Sequence, residues 1–217
     1  MEGSINVAVL VYPGVEVIDM NGPIDVFIKA NRFNGNKYRV YTVAESPEPV
    51  KSEHSAVQII PEYTLTTCPR TDILIIPGQI MPTDSTEPFG RGSDTLRSWI
   101  TGLAQTPETI IMSVCVGIYI LAKTGLLANK KATTHFSALV DIQKEYKNIT
   151  FIKNVRFVPD GNFITTGGVT SGIDGALYLV SMLDNPCTAQ EVADIMVYNR
   201  EASLPINTIL YDNALFR

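Results

Sequence analysis

Along this chain, short runs of apolar, β-branched residues alternate with stretches whose apolar positions recur at helical spacing. INVAVLVY (5–12) has almost no polar interruption and predicts a strand buried on both faces. KYRVYTVAE (37–45), TDILIIPG (71–78) and ETIIMSV (108–114) predict three more strands, the second of these ending at Pro77-Gly78. Helical spacing marks PIDVFIKANRF (23–33), with Pro23 in its first turn, and the amphipathic SDTLRSWITGLAQ (93–105). It marks GIYILAKTGLL (117–127), mostly buried, and SALVDIQKEY (137–146) as well. KKATT (130–134) predicts a short strand, and the less regular SEHSAVQIIPEYTL (52–65) a hairpin or edge element. VRFVPDGNFITTGG (155–168) predicts a hairpin turning at Asp160-Gly161. Ser171 with Asp174, and Thr188 with Glu191, have capping-box spacing; they predict a helix through GALYLVSML and a last helix over roughly 189–200. Residues after Arg200 show no clear pattern and are either irregular or cover a neighbouring subunit.

Alternating strands and helices with near-continuous apolar strands predict an α/β fold, a mostly parallel sheet with helices on both faces. No linker, repeat or low-complexity stretch divides the chain. One domain is expected over 1–217, with its core in 5–200 and an extension over 201–217.

Composition narrows the function. With 22 acidic and 17 basic residues, a formal charge of −5 disfavours a phosphate-binding surface, so no nucleic-acid partner is expected. No apolar run reaches the ~20 residues of a membrane span, and the N-terminus lacks the features of a secretion signal. The 3 cysteines are too few and too scattered for a disulfide framework, which predicts a reducing, cytoplasmic setting. His54 and His135 are the 2 histidines and no Cys-x-x-Cys pair exists, so no metal site is expected.

In an open parallel sheet the functional crevice lies beyond the carboxyl ends of the strands. Asp19 follows the first strand, Pro77-Gly78-Gln79 the 71–78 strand, Cys115 the 108–114 strand, His135 the KKATT strand, and Gly167-Gly168 the second arm of the hairpin. IIMSVCVGIY sets Cys115 between strand and helix with Gly117 two residues on, the layout of a nucleophile elbow. A helix N-terminus there favours the thiolate and predicts a lowered pKa. The segment reads equally as a small buried thiol. Asp19 reads as a turn residue or as a buried acid that moves a proton. His135 reads as a thiol-orienting base or a structural histidine. Gly78 and Gly168 read as tight turns or as backbone N–H donors to a developing anion.

These residues sit in segments that resemble the ThiJ/PfpI superfamily: VIDMNGPIDVF, DILIIPG, SVCVGIYILAKTGLLANKKATTHF and TTGGVTSGIDGAL. The resemblance spans nearly all of 5–200. It is greatest to the branch holding isocyanide hydratases and the sensor domains of AraC-type regulators. It implies a flavodoxin-like three-layer sandwich, a homodimer with Cys115 near the interface, and Asp19 as the acid beside the cysteine. It also implies a small-molecule substrate and no cofactor. For hydratases it implies attack of the Cys115 thiolate on the isocyanide carbon. Alternatives within the superfamily are glyoxalase or deglycase chemistry on dicarbonyls, and a small-molecule or oxidation sensor. Val116 stands where protease-like members carry histidine, which disfavours a peptidase. It also stands where hydratases typically carry threonine. Gln79 replaces the second glycine of Pro-Gly-Gly, leaving its backbone N–H to serve.

Overall fold

The computed structural model describes residues 4–79, 90 and 92–200. Seven strands form the central sheet. In chain order the first elements are β1 (Ile5–Leu10), α1 (Val17–Ala30), β2 (Tyr38–Ala44), β3 (Val50–Lys51), β4 (Gln58–Ile59), β5 (Tyr63–Thr64) and β6 (Ile73–Ile76). Then come α2 (Asp94–Leu103), β7 (Ile110–Val114), α3 (Ile118–Lys123), β8 (Lys131–Ala132), α4 (Leu139–Glu145) and β9 (Thr150–Phe151). The chain continues through β10 (Phe157–Asp160), β11 (Phe163–Thr166), α5 (Ser171–Leu183) and α6 (Pro186–Ile195).

The sheet order is β10-β11-β7-β6-β1-β2-β5, parallel throughout except for β10. The middle strand β6 buries every side chain it has: Ile73, Leu74, Ile75 and Ile76 are at most 1% exposed. That is why it reads as an unbroken apolar run. Helices α1, α5 and α6 pack together on one face, and α2 packs with α3 on the other. The expected flavodoxin-like sandwich is the observed fold.

Several local expectations change. Helix α1 begins at Val17, six residues before the predicted start, so Pro23 lies inside it. Pro23 has no N–H to give the Asp19 carbonyl, and the helix continues because packing outweighs one lost bond. Gly172 of α5 sits where a side chain would touch both Val114 and Pro23, so the two helices and β7 meet closely. Ser171 does not cap α5 in the expected box: its hydroxyl bonds both N–H and C=O of Gly168, and Asp174 pairs with Arg156. The last helix starts at Asn185-Pro186 rather than Thr188, because the Asn185 side chain accepts the Thr188 N–H and Pro186 suits the first turn. It ends at Ile195 rather than 200. KKATT supplies only β8, which pairs with β9 outside the central sheet. In 52–65, β4 completes a two-stranded hairpin with β3, and β5 forms the outer edge of the main sheet. The β10–β11 hairpin turns at Gly161-Asn162, with Asp160 still paired to Phe163. The 201–217 extension lies outside the described residues.

Candidate active site

Parallel register brings the strand ends level. Ile76 pairs with Ser113, and Thr166 with Val114, so the residues that follow β6, β7 and β11 leave the sheet side by side. Cys115 follows Val114 at φ 55, a conformation uncommon for a side chain larger than glycine. A single 3₁₀ turn over Cys115–Gly117 then leads into α3. Gly117 is required here: a Cβ would lie 2.3 Å from the Ile76 carbonyl oxygen and 2.5 Å from that of Pro77. The elbow read from the sequence is therefore present, and its tightness depends on backbone lying against backbone. The Thr134 hydroxyl donates to the Cys115 carbonyl at 2.7 Å, fastening the segment before His135 to the same turn.

Asp19 lies in the first turn of α1, fully buried. The Gly78 N–H donates to its Oδ2 at 2.9 Å, while Oδ1 is buried with no hydrogen-bond partner among the described residues. The Asp19 carboxyl and Cys115 both come up to the side of Gly78 that carries no side chain. A Cβ placed there would stand 2.6 Å from Asp19 Oδ2, 3.0 Å from Cys115 Cβ and 3.0 Å from the Val116 nitrogen. The acid and Cys115 thus meet in the space that a side chain at position 78 would fill, with no hydrogen bond joining them.

Electrostatics corrects the expectation of a lowered thiol pKa. Burial, then the neighbouring Asp19 carboxylate, push the Cys115 thiol well up, against the smaller downward pull of the Val116 and Val169 N–H groups. A 3₁₀ turn followed by a helix of 6 residues supplies too little aligned dipole to outweigh desolvation. Asp19 is pushed up to about 8, chiefly by burial and further by Glu16 and Glu53, with the Gly78 and Val169 N–H groups opposing. Near neutral pH the acid therefore holds its proton.

His135 is brought close to the thiol without a hydrogen bond to it. Its Nδ1 lies 2.6 Å from the Ser137 hydroxyl, and burial lowers its pKa. His135 and Cys115 both come up to the side of Gly168 that carries no side chain: at φ +120, a Cβ there would lie 2.9 Å from His135 Cδ2 and 3.0 Å from Cys115 Sγ. The expected anion donors are not the glycines themselves. Gly78 N–H is committed to Asp19, and Gly168 N–H to the Ser171 hydroxyl. The N–H groups that pull the thiol pKa down are those of Val116, which follows Cys115, and Val169, which follows Gly168. Val116 is 1% exposed, so its backbone rather than its side chain serves the site. Gln79 joins Val15 in an antiparallel bridge and turns its side-chain amide toward Gly90.

Sequence reasoning missed Tyr12, Glu16, Glu53 and Val169. Glu16 carried a signal: it stands three residues before Asp19, one helical turn away. Burial and the Glu53 carboxyl raise Glu16 to about 7. Glu53 comes from a different part of the chain, between β3 and β4, and accepts the Val17 N–H at 3.4 Å. No spacing rule reaches that pairing. An opening of about 450 Å³, lined by Asn6, Arg70, Asp72 and Glu108 among others, lies at the amino ends of β1, β6 and β7, the opposite end of the strands from Cys115. Among the described residues no group of His, Cys, Asp and Glu is arranged to hold a metal ion, and no helix is long and apolar enough to cross a membrane.

Comparison with known proteins places this geometry. The DJ-1/PfpI family profile matches residues 5–182. An isonitrile hydratase of Pseudomonas putida is 32% identical over 194 residues, which cover 87% of this chain and 76% of that protein. The transcriptional regulator CdhR of Pseudomonas aeruginosa is 26% identical over 88% of this chain, but the match spans only 54% of the regulator. The crystal structure of a ThiJ/PfpI family protein from Pseudomonas syringae superposes with a TM-score of 0.74 at 30% identity, covering 95% of this chain and 80% of that one. Drosophila melanogaster DJ-1beta shares the fold, with a TM-score of 0.75 at 23% identity, covering 90% of this chain and 98% of its own.

Proposed function

The chain belongs to the DJ-1/PfpI family, and from that premise we propose that it is a cysteine-dependent enzyme that hydrates isocyanides to N-substituted formamides. The observation that carries this reading is a buried acid, protonated near neutral pH, that meets the buried Cys115 in the space a side chain at position 78 would fill. Isocyanide hydration needs a nucleophile and a proton delivered to the same carbon. A neutral acid beside a neutral thiol supplies both without creating a net buried charge.

In the first step the Cys115 sulfur bonds to the isocyanide carbon, Asp19 gives that carbon its proton, and the thiol proton refills Asp19. The product is a thioimidate, R–N=CH–S–Cys115. Water then adds to the same carbon and the nitrogen gains a proton. The C–S bond breaks as the carbonyl forms, and the proton lost from the oxygen returns through Asp19 to sulfur. Charge that develops during either step faces the Val116 and Val169 N–H groups. The relative named as an isonitrile hydratase, 32% identical, supports this choice of substrate. No cofactor takes part.

The test is incubation with an alkyl isocyanide, following formamide by chromatography or NMR. Wild type should turn over, and Cys115→Ala should not. Equal, slow conversion by both would refute the proposal. The likeness to regulators supports a second reading, a ligand-responsive sensor; saturable isocyanide binding without turnover would select it. Ile18, 44% exposed and next to Asp19 in sequence, offers an exposed apolar contact for the homodimer that we also propose. Light scattering at micromolar concentration distinguishes one chain from two.

A further inference from the structure

We infer that Tyr12 is a positioning residue for the Cys115–Asp19 pair, fixing the Pro77–Gly78 peptide whose N–H holds the Asp19 carboxyl. This inference rests on the reading of those two groups as the reacting pair. The Tyr12 hydroxyl donates to the Pro77 carbonyl oxygen at 2.7 Å. The Gly78 N–H, on the other side of that same peptide bond, donates to Asp19 Oδ2 at 2.9 Å. The bond is trans, so its C=O and N–H point in opposite directions within one rigid plane. Fixing the oxygen therefore fixes where the hydrogen points. Tyr12 holds one end of this unit and Asp19 the other.

Two further contacts show why rotation of this peptide matters. The Gly78 carbonyl accepts the Glu16 N–H at 2.9 Å, which ties the same turn to the start of the Asp19 helix. The Pro77 oxygen bonded by Tyr12 is also one of the atoms on which Gly117 rests, 2.5 Å from where its Cβ would be. One carbonyl thus touches the tyrosine and the cysteine elbow, while its peptide N–H touches the acid. A carbonyl that accepts a hydrogen bond polarises its own peptide and strengthens the attached N–H as a donor. The tyrosine acts on Asp19 in two ways, through direction and through donor strength. The ring packs against the core, and the hydroxyl is turned inward, where burial, Asp19 and Cys115 all raise its pKa. It stays protonated, as a donor must.

Tyr12→Phe keeps the ring and removes only the donor. Pro77-Gly78 and Pro13-Gly14 are the two Pro-Gly pairs in the sequence. Labelling proline carbonyl carbon and glycine nitrogen therefore isolates two amide signals. Gly14, whose N–H goes to the Lys51 carbonyl, reports general disturbance. In Tyr12→Phe the Gly78 amide proton should move upfield while Gly14 stays in place. The pH midpoint that Asp19 imprints on the Gly78 amide should rise, because the N–H that holds the acid's pKa down is weakened. With isocyanide, kcat should fall roughly three- to ten-fold, the weight of one neutral hydrogen bond, at unchanged KM. Tyr38→Phe, which loses a hydroxyl bond to Asp184 instead, should leave both signals alone. An unmoved Gly78 amide and midpoint in Tyr12→Phe would overturn the inference. Absence of turnover in the wild type would instead count against the proposed reaction, and the two amide signals would still decide the role of Tyr12.

Discussion

Replacing Asp19 by asparagine should make the protein more stable and less active, and the gain in stability should grow with pH. The carboxyl shifts from an ordinary 3.8 to about 8 on folding because burial, helped by Glu16 and Glu53, outweighs the opposing Gly78 and Val169 N–H groups. Between those values the unfolded chain has lost this proton while the folded chain keeps it, so stability falls as pH rises. Each pH unit inside the window removes about 1.4 kcal/mol. Between about pH 5 and about pH 8 the wild type should lose on the order of 4 kcal/mol from this group, relative to Asp19→Asn. The amide has the same shape, accepts the Gly78 N–H and does not ionise. Urea unfolding of both proteins at several pH values gives the difference directly. It should be small near pH 4 and level off above pH 8. A difference that stays flat across the window would refute the reasoning, because Asp19 would then ionise as an exposed carboxyl does. Isocyanide turnover by the variant should be abolished, since an amide delivers no proton.

Gly117→Ala should destabilise the protein by about 3 kcal/mol or prevent folding, because the added methyl would stand 2.3 Å from the Ile76 carbonyl oxygen, which is backbone and has nowhere to go. Thermal unfolding beside the benign Gly102→Ala, where nothing lies within 4 Å of the added atom, checks this. Thiol labelling near neutral pH should reach exposed Cys187 first and Cys115 last, since burial keeps the Cys115 thiol protonated and out of reach. Peptide mass spectrometry gives the order, and early modification of Cys115 would contradict the direction of its pKa.

The central strands were legible because burial on both faces removes polar residues from them, leaving runs such as Ile73–Ile76 that no other context tolerates. The cysteine elbow was legible for a related reason. A strand, a cysteine and a glycine lie within a few positions, and Gly117 sits where the structure admits no side chain. Helix starts were less so. A Pro23 read as a first-turn residue is an interior one, since packing of α1 against α5 and α6 decides where that helix begins. Cap spacing at Ser171 was equally misleading, because its hydroxyl found Gly168 instead.

Which residues make up the site was largely fixed by local sequence; what each does there was not. Strand-end position gathered Asp19, Gly78, Cys115, His135 and Gly168, and the structure brings all five together. Only the tertiary fold decided that Gly78 would anchor the acid, that Val116 and Val169 would present their N–H groups to the sulfur, and that His135 would turn to Ser137. It also decided the protonation states. A pKa depends on how much water is removed and which charges lie close in space, and Glu53 reaches Asp19 from 34 residues along the chain. Sequence periodicity records which side of an element is dry. Chain folding sets how dry, and beside what.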